Sequence, residues 1–188
     1  MFNSKKQTTP KLPWAIQVLT TEYMIDGSVQ PDEYSGIFQP LNSRGGPVPL
    51  QLKTWKTVQV QPTGNLTMPV TSFSAWSLGC AANVVAIIPN DEASRQDALK
   101  AFKDWKYPIK ATILAGPYCI RGTVMAPKAN GFQLPDAPGT PTWTNWGGGG
   151  FPITDAEVDS LLPGAKLTGL RVTWLLLNAW VIQGFGLE

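Results

Sequence analysis

A seven-residue pattern occurs twice in this chain, as Tyr23-Met24-Ile25-Asp26-Gly27-Ser28-Val29 and, ninety-five residues later, as Tyr118-Cys119-Ile120-Arg121-Gly122-Thr123-Val124. The flanks repeat as well, Val18-Leu19 matching Ile113-Leu114 and Gln30-Pro31 matching Met125-Ala126-Pro127. Further along, Gln61-Pro62-Thr63-Gly64 parallels Leu162-Pro163-Gly164-Ala165 at an offset of about 101, and Asn83-Val84-Val85-Ala86-Ile87 parallels Asn178-Ala179-Trp180-Val181-Ile182 at 95 again. Blocks recurring in one order constrain the chain to two copies of one architecture. Each copy brackets a glycine with an aromatic, a β-branched residue and a valine, which reads as strand, with the glycine permitting a bend.

The chain has 188 residues, enough for two small domains of roughly ninety each. Its 18 glycines and 17 prolines suit many turns, while eight tryptophans and seven phenylalanines offer burial that disordered segments lack. One helix is expected: Asn90 or Asp91 is a suitable N-cap, Glu92 follows in the first turn, and Ala98, Leu99, Phe102 and Trp105 recur at helical spacing until Pro108. The expected fold is mainly β, with two tandem small SH3-like or Sm-like β-barrels joined by one α-helix. The parts are a flexible arm over 1–13, a first barrel over 14–89, a linking helix over 90–108 and a second barrel over 109–188 that carries a long Gly/Trp loop.

The Ile-x-Gly-x-Val core of each copy resembles the second strand of Sm-like proteins. Together with Phe151-Pro152-Ile153-Thr154-Asp155-Ala156-Glu157-Val158 it resembles an uncharacterised family of bacterial Sm-like domains, common in chloroflexus-type bacteria. The resemblance covers residues 14–89 and 110–185 in outline. It implies small bent barrels and assembly through strand edges. Sm-like proteins commonly bind RNA through an Arg-Gly pair near the fourth and fifth strands, but Ala81-Ala82-Asn83 and Leu176-Leu177-Asn178 stand at those places here. RNA binding is therefore not carried over.

Histidine is absent, which removes Ser-His and Cys-His catalysis and His-ligated metal. Cys80 and Cys119 form no zinc pattern and read as small buried hydrophobes. Asp155, Glu157 and Asp159 alternate along one strand face, where they meet solvent, hold a hard cation or supply an acid and base pair. Lys100, Lys103 and Lys106, with Lys110 beyond them, read as a solvated helix face, and a net charge of +2 does not announce nucleic acid. The glycine run 147–150 lacks the Lys-Ser/Thr of a phosphate loop. No catalytic residue, cofactor or metal site is expected.

The long irregular segments 31–49 and 126–150 fall at matching points of the two copies, where function is most readily grafted. Trp143 and Trp146, with Phe132 and Phe38, are the candidate partner-binding residues. The expected function is a non-enzymatic scaffold that self-associates or docks on proteins through β-edges and aromatic loops. The alternative is a carbohydrate- or single-stranded nucleic-acid-binding module using the loop tryptophans. No signal peptide is visible, and the longest apolar run, 174–182, is about nine residues, short of the roughly twenty of a membrane helix. The expected location is cytoplasmic, and the expected partners are further copies of the chain or other proteins.

Overall fold

The computed structural model describes residues 12–31, 36, 50–59, 72–78, 84–103, 107–126 and 150–187. Among these described residues ten strands form one antiparallel sheet: β1 (Trp14–Thr20), β2 (Tyr23–Val29), β3 (Leu50–Gln59), β4 (Ser72–Leu78), β5 (Val84–Pro89), β6 (Tyr107–Ala115), β7 (Tyr118–Ala126), β8 (Gly150–Ser160), β9 (Leu170–Asn178) and β10 (Ile182–Leu187). A helix, α1 (Glu92–Ala101), separates β5 from β6, and a 3-10 turn (Ala179–Val181) separates β9 from β10. The sheet order is β10-β6-β7-β8-β9-β5-β1-β2-β3-β4. The mainly β expectation holds, but the sheet is open. Closing the first five strands into a barrel by ladder pairing would need a free side on β5, and β5 already pairs with β1 on one side and β9 on the other.

The two runs of five strands share their pairing geometry. Val18 faces Ile25 as Ile113 faces Ile120, and Tyr23 faces Gln59 as Tyr118 faces Ser160. Each second strand meets its third with a register shift beside the repeated glycine, between Gly27 and Ser28 in one case and between Arg121 and Thr123 in the other. Gly122 shows why the residue is small. A Cβ there would lie 2.7 Å from Ile153 Cγ2, 3.0 Å from the Thr154 carbonyl oxygen and 3.1 Å from Ala156 Cα. Close approach of β8 is what demands glycine here.

At the last strand of each run the structure corrects the sequence alignment. Thr20 pairs with Val84, and its counterpart Ala115 pairs with Ile182, so Val84 corresponds to Ile182 and not to Ala179. The 3-10 turn over Ala179–Val181 takes up the three residues between. Both ladders carry a bulge at this point, after Leu19 and after Ile182.

Two cores result. One gathers Ala111, Ile113, Tyr118, Ile120, Val124, Ile153, Val158, Leu175 and Leu177, and takes in Leu19, Val85, Ala86 and Ile88 from the first five strands. The other gathers Trp14, Ile16, Val18, Ile25, Val29, Val84 and Ile87, and takes in Trp174 and Leu176 from β9. β5 and β9 thus have apolar neighbours on both faces. This is why β5 is buried throughout and why Trp174 to Leu177 form an unbroken apolar run.

The helix is shorter than the expected 90–108 and packs on β1 and β5. Ala98 is buried and Phe102 lies against Trp174 with ring centroids 6.0 Å apart, but Leu99 is 53% exposed and does not belong to the packed stripe. Pro108 lies inside β6 instead of beyond a helix. It sits where β6 pairs with β7 alone, since the β10 ladder spans only Ala111 to Ala115, so its missing N–H costs no bond on that side. Lys100, Lys103 and Lys110 are exposed, as expected.

Asp91 is the N-cap and also fastens the helix to the sheet. One carboxylate oxygen accepts from the Ser94 amide at 2.7 Å and the other from the Ala15 amide of β1 at 2.6 Å, while Ser94 Oγ accepts from the Asp91 amide. Burial raises the Asp91 pKa, but the hydrogen bonds from Ala15 and Ser94 outweigh it and hold the carboxyl below its ordinary 3.8. A depressed carboxylate stabilises the fold fully above the unfolded-state value and loses that contribution as pH falls through the folded-state value.

Two outcomes follow. Gly122→Ala lowers stability by about 1–3 kcal/mol in urea denaturation, because backbone and Ile153 must both shift. Asp91→Asn lowers stability by about 0.5–2 kcal/mol near neutral pH and flattens the loss that the parent shows below about pH 4; parallel denaturation curves across that range measure both.

Candidate functional site

The two runs of strands meet between β5 and β9. The β5·β9 ladder contains two pairs, Ala86 with Leu177 and Ile87 with Leu176. A contact so short in backbone terms is reinforced by side chains that reach across it. Tyr118 of β7, fully buried, donates its hydroxyl to the Thr20 carbonyl at 2.8 Å. Asn178, also fully buried, donates from Nδ2 to the Val84 carbonyl at 2.7 Å. Each bond supplies a buried carbonyl with a donor, and leaving such a group without one is costly. At the same place Gly116 adopts φ +56°, forming the turn between β6 and β7 that abuts Val85 and Thr21.

Tyr23 holds in β2 the register position that Tyr118 holds in β7, yet its surroundings differ. It is half-buried, and burial, followed by the neighbouring Glu22 carboxylate, pushes its phenol above the ordinary value. The outermost strands of the sheet, β4 and β10, pair within the described residues with β3 and β6 alone. Neither Ser72–Leu78 nor Ile182–Leu187 contains a charged residue or a proline. Exposed edges are ordinarily guarded by such residues.

A second polar region lies on the outer face of β7, β8 and β9. Asp155, Glu157 and Asp159 do share that face, as the alternation implies, but Arg121 from β7 binds both Glu157 and Asp159. Arg171 from β9 binds the other Glu157 oxygen at 3.2 Å, and the Gly169 amide donates to Asp159 at 2.6 Å. The hydrogen bond to Glu157 and the charge of Asp159 push the Arg121 guanidinium further above its already high pKa. Two of the three carboxylates therefore already have cationic partners. Among the described residues no group of three or more Cys, Asp or Glu is placed to hold a metal ion. Asp155 stands at the β8 bulge with φ 51°, the one non-glycine residue at positive φ among those described. It lines a shallow groove of about 390 Å3 with Ala156, Glu157, Arg171, Val172 and Thr173.

Of the residues singled out from sequence, Trp143, Trp146, Phe132 and Phe38 lie outside the described residues, as do Cys80, Trp105 and Lys106. Cys119 is half-buried, with its sulfur 4.0 Å from an Arg121 nitrogen, and is not the core residue expected. Leu176, Leu177 and Asn178 are buried, so none of them presents a surface to RNA. The roles of Tyr118 and Asn178 do not follow from sequence pattern alone. The available signal is a lone Asn within an apolar run, which in a buried strand has to find an internal partner. No described helix is long and apolar enough to cross a membrane.

Comparison with known proteins finds no matching family model, no matching curated protein and no matching solved structure.

Replacing Asn178 by Ala leaves the Val84 carbonyl buried without its donor and costs about 1–3 kcal/mol, and Tyr118→Phe costs about 0.5–1.5 kcal/mol. The double variant, compared with the two single ones in urea titrations, is expected to deviate from additivity because both bonds hold one junction.

Proposed function

We propose that this chain is a non-enzymatic scaffold protein, built from two Sm-like units over 14–89 and 109–188, that self-associates through its sheet edges. The observation that carries this reading is the pair of outer strands, β4 and β10, which have neither charge nor proline to discourage pairing. A supporting observation is the β5·β9 ladder, since the chain already joins its own two halves by pairing one strand edge with another. The non-enzymatic part rests on the absence of histidine and on the ion pairs that occupy Glu157 and Asp159.

Sedimentation velocity of the full chain over a wide concentration range is expected to show multimers. Gly186→Lys places an ammonium on the β10 edge at a position where a Cβ meets only ordinary contact, 3.7 Å from the Thr112 carbonyl oxygen. It is expected to weaken association at least about tenfold with an unchanged circular dichroism spectrum. A parent chain of single-chain mass at every concentration overturns the reading.

A further inference from the structure

Resting on the self-association reading, we propose that a second copy of this chain adds its β10 strand to β4, antiparallel, with Gly184 of one copy opposite Leu78 of the other and Phe185 opposite Ser77. The register comes from the junction within the chain. Through the β1·β5 and β6·β10 ladders, Ala86 and Ile87 correspond to Gly184 and Phe185. Through the β3·β4 and β8·β9 ladders, Leu177 and Leu176 correspond to Leu78 and Ser77. The internal pairs Ala86 with Leu177 and Ile87 with Leu176 therefore translate into Gly184 with Leu78 and Phe185 with Ser77.

The Tyr118 bond to the Thr20 carbonyl has no counterpart between copies, because Ala115, which corresponds to Thr20, is fully buried within its own chain and Tyr23 already hydrogen-bonds Glu22. The bond made by Asn178 has no counterpart, because the residue that follows Leu78 is Gly79. The junction between copies is accordingly weaker than the one within the chain. Because two different edges meet, the contact is heterologous, and repetition gives a ring if the rotation closes and a filament if it does not.

Disulfide trapping in the full chain, with Cys80→Ser and Cys119→Ser as background, tests the register. Residues directly opposite in an antiparallel pair lie about 4.5–5.5 Å apart at Cα, within disulfide reach, whereas a two-residue slip adds roughly 6–7 Å along the strand. Leu78→Cys with Gly184→Cys is expected to give covalent multimers on mild oxidation, and Leu78→Cys with Gly186→Cys is not. Multimers in sedimentation together with preferential cross-linking of the second pair overturn this register while leaving self-association intact. A chain that stays single in sedimentation overturns both.

Discussion

Everything in this fold depends on the meeting of β5 and β9. Only two residue pairs link them, yet both cores draw on both strands, with Val84 and Ile87 entering one and Val85, Ala86 and Ile88 the other. Where the strands are shared, over Val84–Pro89 and from Trp174 onward, they do not alternate apolar with polar residues, because neither face meets water there. The same sharing leaves β5 no free side on which to close its own half. Among the described residues the consequence is an open ten-stranded sheet with two distinct outer edges.

Local devices position the elements around that junction. Register shifts beside the repeated glycines set how β2 meets β3 and β7 meets β8, and at Gly122 the neighbouring strand leaves no room for a Cβ. Asp91 serves the helix and the sheet at once, since one carboxylate caps α1 and holds the Ala15 amide of β1. On the outer face, Arg121 and Arg171 balance Glu157 and Asp159, in exposed ion pairs that contribute little to stability but occupy the carboxylates.

Much of this was legible in the residues. The duplicated Tyr-x-Ile-x-Gly-x-Val pattern located β2 and β7, and the 101-residue offset seen in later blocks is the one that relates β3 to β8. The Asp91 cap was readable because capping is a local bond between residues three apart. Less was readable where the cause is non-local. Leu99 fits the helical period as well as Ala98 does, but only the placement of β1 and β5 decides which face is covered. The alignment of the last strands failed because a 3-10 turn shifts β10 by three residues, and an apolar run has no internal marker of register.

The sequence by itself determined the strand-rich character, the recurrence of one pattern and the helix start, since hydrophobic period, glycine placement and capping are properties of neighbouring residues. Only the tertiary structure decided that Tyr118 and Asn178 lock two halves together, that β5 and β9 share two cores, and that β4 and β10 are left outermost. The physical reason is that pairing partners and buried hydrogen-bond acceptors are chosen across nearly a hundred residues of chain, where no local preference reaches.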